Sequence, residues 1–228
     1  MSTAKDSCFL NNEKDGSTLV LIPEGSFLAG ETARDHAPKE PIMVVLPAYY
    51  LGLYCVTNAQ YRRFTLETKR PSPYSQAVFH KTDDLWYPEG LDKHPVHYVT
   101  WDEANAYCKW AGLRLPTELE WEKGARGVDG RAYPWGNEWD HQKCCQSQYA
   151  GMSEVSAFPE GRSPWGLYQM CGNVGEWCSD EVNQNRHVVR GWPGLAPESF
   201  KCSVGTSQVS ERDYVQRIGF RCAKTFPS

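Results

Sequence analysis

The feature that limits this chain most is how briefly any part of it stays regular. Its longest apolar runs, such as Leu19-Val20-Leu21-Ile22 and Met43-Val44-Val45-Leu46, span a few residues each. A membrane-crossing helix needs roughly 20. Between such runs the 228 residues are dense in turn-formers and aromatics, with 19 Gly and 15 Pro beside 9 Trp, 12 Tyr and 8 Phe. That mixture predicts an α+β, loop-rich fold of short helices around small antiparallel sheets. The chain is long enough to bury a core without metal or disulfide staples. No linker or internal repeat divides it, so the reading is a polar leader over 1–17 and a single domain over 18–228.

Three helices carry start signals. Thr57 caps a helix from Asn58 to about Thr68. Thr100 with Glu103, and Thr117 with Glu120, are capping boxes in which the Thr and Glu side chains satisfy each other's backbone donors. The first box opens Trp101 to Ala111, closed by Gly112; the second opens a helix that stops before Gly127. Ala104, Tyr107, Cys108 and Ala111 recur at helical spacing, which predicts a buried Cys108. Strands are expected at Leu19–Ile22, through Pro41–Tyr54 with a break at Pro47, at Val188-Val189 and at Ile218–Ala223. Pro71–Pro95 and the stretch after Val189 read as long loops, which in a compact domain favours a functional role.

With 24 basic and 28 acidic side chains the net charge is −4 and no basic run occurs, which argues against a nucleic-acid partner. The N-terminal segment lacks an apolar core of the signal-peptide kind, so a cytoplasmic location is expected. The nine cysteines are odd in number, leaving at least one outside any intrachain bridge. No Cys-x-x-Cys occurs, and the dyad Cys144-Cys145 does not have zinc-knuckle spacing. Neither a Gly-x-Ser-x-Gly elbow nor a phosphate-cradling glycine loop is present. His94 and His97 flank Pro95, which disfavours a helix aiming both at one metal. Asp83-Asp84 reads as a solvated loop face, and Glu118, Glu120 and Glu122 as charge complementing a helix N-terminus.

Seven phrases stand in a fixed order: Leu21–Phe27 (LIPEGSF), Val99–Ala104 (VTWDEA), Arg114–Glu122 (RLPTELEWE), Tyr133–Gly136 (YPWG), Gly166–Tyr168 (GLY), Gly172–Trp177 (GNVGEW) and Ile218–Arg221 (IGFR). The series resembles the sulfatase-modifying-factor family, the superfamily of the formylglycine-generating enzyme, over about residues 18–225. The resemblance implies an irregular C-type-lectin-like fold. One departure is visible: Gly175 stands where the family usually has the first Trp of Gly-Asn-x-Trp-Glu-Trp.

The formylglycine-generating enzyme oxidises a substrate cysteine with copper(I) held by two cysteines, a pairing suited to a soft ion. The corresponding stretch here, 189–202, holds only Cys202, and the family's Gly-Gly-Ser phrase is replaced. Counted back from Gly219-Phe220-Arg221, Cys202 matches a family cysteine whose bridging partner is Ala125 here, so a lone thiol is expected. The resemblance places a second family bridge at Cys108 and Cys222, read as a bridge or as adjacent thiols. No copper is expected, and the reading leans away from an enzyme. The family's calcium loop maps to Gln169 and the carbonyls of Met170, Gly172 and Val174, so structural calcium is a candidate cofactor. A second calcium loop is shortened around Cys144 to Met152.

The family's active surface falls on residues 185–217. Here it carries Trp192, Leu195, Glu198, Phe200, Ser207, Glu211, Arg212, Asp213 and Tyr214, candidates for contact with a protein ligand. By position and by loss of the catalytic cysteines the segment resembles the variable proteins of diversity-generating retroelements. Those display a hypermutated C-terminal surface on the same fold. The alternatives are a metal-dependent oxidase related to formylglycine-generating enzyme or to the sulfoxide synthases, and a regulatory scaffold domain.

Overall fold

The structure is a computed structural model that describes residues 8–30, 40–76, 87, 89–146, 151–183, 186–192, 194, 196–209 and 216–227. Three α-helices, α1 (Asn58–Thr68), α2 (Trp101–Trp110) and α3 (Glu118–Arg126), are described, with the boundaries their caps predict. All three begin in a reciprocal capping box, the first completed by Gln60, whose side chain accepts from the Thr57 backbone. Gly112 and Gly127 follow α2 and α3 at φ +70° and +72°, a conformation that costs glycine little.

The described strands form two four-stranded sheets and one ribbon. The first sheet runs β1 (Phe9–Asn11), β2 (Thr18–Ile22), β5 (Tyr49–Gly52) and β10 (Ala223–Thr225), all antiparallel. The ribbon pairs β3 (Gly25–Ala29) with β4 (Ile42–Leu46). The second sheet has the order β8 (Gly205–Val209), β7 (Arg186–Arg190), β6 (Gly175–Asn183), β9 (Ile218–Gly219), with β9 parallel to β6.

Residues 8–17 differ from their reading as part of a leader. Phe9 pairs with Val20 and Asn11 with Thr18, so this segment is the edge of the first sheet. Asp15 is buried and accepts hydrogen bonds from Asn12, Ser17 and the Tyr107 hydroxyl at 2.9 Å, which ties the segment to α2.

One core cluster joins α1 and α2 to the C-terminal strands through Tyr61, Phe64, Tyr107, Trp177 and Phe220. Cys108 belongs to it, as its helical spacing predicts, and lies 3.5 Å, sulfur to sulfur, from Cys222. The second cluster packs α3 against β2, β5 and β7 through Trp121, Leu51, Val188 and Cys202.

The glutamates of α3 do more than complement a helix dipole. Glu122, fully buried, bridges Arg126 at 2.9 Å and Arg190 at 3.0 Å, Glu118 reaches Arg190 at 2.7 Å, and Glu120 binds Arg114 at 2.7 Å. Arg190 lies on β7, so this network pins the second sheet to α3. Glu176 on β6 anchors a second buried network, taking Arg221 at 2.6 Å, the Trp121 indole at 2.8 Å and the Cys55 thiol at 3.1 Å. Buried charges of this kind persist only when every partner is present.

Candidate functional site

The segment singled out by sequence begins on β7, crosses a connection containing the 3₁₀ turn Pro197–Phe200, and returns as β8 at the sheet edge. Its residues divide by what they touch. Trp192 is half-buried and packs on the first core cluster. A Cβ built on Gly175 would meet the Trp192 indole at 2.6 Å and Val189 at 2.8 Å. The aromatic missing at position 175 is thus replaced by one arriving from the neighbouring strand's end, and glycine is what makes room for it.

Phe200 is buried at 4% exposure against Cys144, Cys171 and Tyr133, its ring 4.9 Å from Trp139. It serves as core, not as a contact residue, because the 3₁₀ turn folds it inward while Glu198 points to solvent. Ser207 lies on β8 opposite Val188. Leu195, Glu211, Arg212, Asp213 and Tyr214 lie outside the described residues.

Two aromatics outside the 185–217 segment lie beside this turn. Trp135 stacks on Tyr133 at 5.4 Å and 8°, and Trp139 sits between Trp135 and Phe200. Both are half-buried, and the Tyr133 hydroxyl donates to the Pro197 carbonyl at 3.2 Å. The phrase Tyr133–Gly136 was legible as a family motif, but nothing in it shows that its indoles flank the C-terminal segment. Further along β7, His187 stacks on Trp101 at 4.0 Å and 7° and meets the Trp177 edge. Burial lowers its pKa, outweighing the carboxylates of Glu181 and Asp102. Its Nδ1 is buried without a hydrogen-bond partner among the described residues.

Cys202 is 1% exposed in the cluster that also contains Ala125. Its backbone N–H donates to Ala132 and its carbonyl accepts from Arg190, while burial pushes its thiol pKa up to about 12. A thiol so protonated and enclosed is a poor nucleophile and a poor metal ligand. No group of three or more potential metal-ligating side chains occurs among the described residues. His97 is engaged through Nδ1 with the Gln216 carbonyl at 2.9 Å, which leaves that nitrogen occupied.

At the calcium-loop positions, Gln169 and Asn173 both have left-handed backbones, φ +52° and +66°. Asn173 closes the loop on Ser153, donating to its carbonyl and accepting from its N–H. The Gln169 amide nitrogen donates to the Glu154 carbonyl at 2.6 Å. Its Oε1 is buried without a hydrogen-bond partner among the described residues, as is the nearby Ser153 Oγ. An orphaned, buried amide oxygen beside a tightly turned backbone fits the donor chemistry of a hard cation.

These features define an α+β fold of the formylglycine-generating, C-type-lectin-like type. PvdO from Pseudomonas aeruginosa superposes with a TM-score of 0.77 at 22% identity, covering 98% of this chain and 100% of that one. Treponema denticola variable protein 1 follows at TM-score 0.68 and 19% identity, over 96% and 98%. The family model for the sulfatase-modifying factor enzyme 1-like domain matches residues 6–226, and the chain belongs to that family. Among its relatives, the inactive C-alpha-formylglycine-generating enzyme 2 of Mus musculus is 30% identical over 91% of this chain and 85% of that protein. The formylglycine-generating enzyme of Thermomonospora curvata is 31% identical over 85% and 80%.

Proposed function

We propose that this chain is a non-catalytic member of its family that binds a protein ligand through the surface of residues 185–217. The observation that carries this reading is that the stretch matching the family's copper site lacks its cysteine pair. The segment offers one cysteine, Cys202, and that thiol is enclosed in the core beside α3. Among its described residues the segment turns Ala196, Glu198, Val204, Thr206 and Gln216 outward. Ser207, Glu211, Arg212, Asp213 and Tyr214 complete the proposed contact set, with Trp135 and Trp139 at its margin. Trp192 and Phe200 support it from beneath. Arg190, where the connection leaves β7, is fixed by its buried ion pairs with Glu118 and Glu122, which leaves little ordering to be done there on binding and favours affinity.

Calcium is part of the proposal. Gln169 Oε1 and the carbonyls of Met170, Gly172 and Val174 would hold it, and its role would be to fix the loop leading into β6.

The variable-protein likeness supports a further step, that residues 185–217 are diversified by a retroelement. The DNA beside the gene tests this. A near-copy of the codons for 186–221 whose mismatches fall almost only at adenines, next to a reverse-transcriptase gene, is the expected result. A locus without such a copy overturns the diversification step and leaves a fixed binding surface.

A further inference from the structure

We propose that Cys144 and Cys171 form an intrachain disulfide under oxidising conditions, a cross-link distinct from any at Cys108 and Cys222. The backbone brings them together. Cys145 and Gly172 are paired in a parallel β-bridge, with the Asn173 N–H donating to the Cys145 carbonyl at 2.9 Å. Parallel register then sets Cys144 beside Cys171, one residue back on each side. Residues paired across adjacent strands lie about 4.8 Å apart, within the roughly 4.4–6.8 Å that disulfides span between Cα atoms. Gly172 permits the approach: a Cβ there would fall 2.3 Å from the Cys145 carbonyl oxygen.

The side chains agree. Cys144 and Cys171 share one apolar cluster with Tyr133 and Phe200, and the neighbouring Cys144 thiol adds to burial in raising the Cys171 pKa. Cys171 also donates to the Phe200 carbonyl at 3.3 Å. The competing partners are directed elsewhere. The Cys145 thiol faces the Gly151 carbonyl at 3.4 Å, and Cys202 packs in the cluster beneath α3.

Glutathione disulfide is the oxidant we assign. The Cys144 thiolate attacks one of its sulfurs, releasing one glutathione thiolate and leaving a mixed disulfide. Burial holds the Cys171 thiol protonated while the turn is closed; once the turn has opened it loses its proton and displaces the second. Two thiol protons leave the protein, and two electrons reduce the oxidant to two glutathione thiols. Cys144 follows the exposed residues His141 and Gln142, so opening this turn gives the oxidant its entry. The cross-link would tie the turn below Trp139 to the segment entering β6. It does not depend on whether the neighbouring surface binds a partner.

Peptide mapping of the intact, folded protein tests the proposal. After incubation with glutathione disulfide and alkylation, trypsin followed by a glutamate-specific protease separates Cys171 (163–176) from Cys178 and releases Cys144 with Cys145 (144–154). The expected product is those two peptides joined, retained in Cys145→Ser and lost in Cys144→Ser. Complete alkylation of Cys144 and Cys171 overturns the proposal, as does a Cys144–Cys145 ring or a Cys171–Cys202 link in their place. If a variant fails to fold, fragmentation of the joined wild-type peptides decides: alkylation found on Cys145 supports the proposal, and alkylation found on Cys144 overturns it.

Discussion

Gly172 concentrates several demands in one residue: φ +82°, a neighbouring carbonyl where a Cβ would stand, and the Phe200 ring at 3.3 Å. Gly172→Ala is therefore expected to destabilise the fold by about 2–4 kcal/mol, read as a lower urea midpoint with unchanged slope. His187 makes a different demand. Its folded pKa is lowered by burial between Trp101 and Trp177. The unfolded chain thus binds the proton more readily, and the stability this residue carries is present above its unfolded pKa of about 6.5 and lost as pH falls below it. The thermal midpoint of the wild type should drop between pH 7.5 and 5.5 by more than that of His187→Gln. Equal drops would show that His187 does not titrate in this way. At this scale the sequence was uneven. The missing Trp at 175 was readable, but its replacement by Trp192 was not, because the two meet only once β6 and β7 have paired.

Elements with local signals were the most legible. Each helix start was written in a Thr with a glutamate or glutamine three residues on, chemistry complete within one turn. The first strand was not, because Phe9–Asn11 is three residues amid polar neighbours and is held by partners distant in sequence. Asp15 reports on that attachment, since its carboxylate accepts from Tyr107 of α2 and from Ser17 and Asn12. Asp15→Ala should cost about 2–3 kcal/mol by stranding those donors. A midpoint shift within error would contradict the docking of this segment on the domain. The acidic run of α3 was under-read for the same reason: Arg190 reaches Glu118 and Glu122 from a strand far along the chain.

Across the whole molecule, seven ordered motifs made the fold legible, because they are the residues that build the buried networks. Glu176, Arg221 and Trp121 belong to three of those motifs and meet in one cluster. The contact surface was far less legible, since exposure is a property of the finished packing: Phe200 and Glu198 are two residues apart and face opposite ways. If calcium occupies the loop before β6, millimolar calcium should raise the thermal midpoint and a chelator reverse it, with Gln169→Ala insensitive to both. No calcium-dependent shift in the wild type would remove the ion from the account.

The central claim is that the segment matching the family's copper site has lost its cysteine pair and serves as a binding surface. Anaerobic titration with copper(I) under a competing chelator, followed by oxygen and a cysteine-containing peptide, addresses it most directly. The account predicts no stoichiometric copper uptake, no oxidation of the peptide above the metal-only control, and the same result for Cys202→Ser. One copper(I) per chain with oxygen-dependent turnover, both lost in Cys202→Ser, would contradict it.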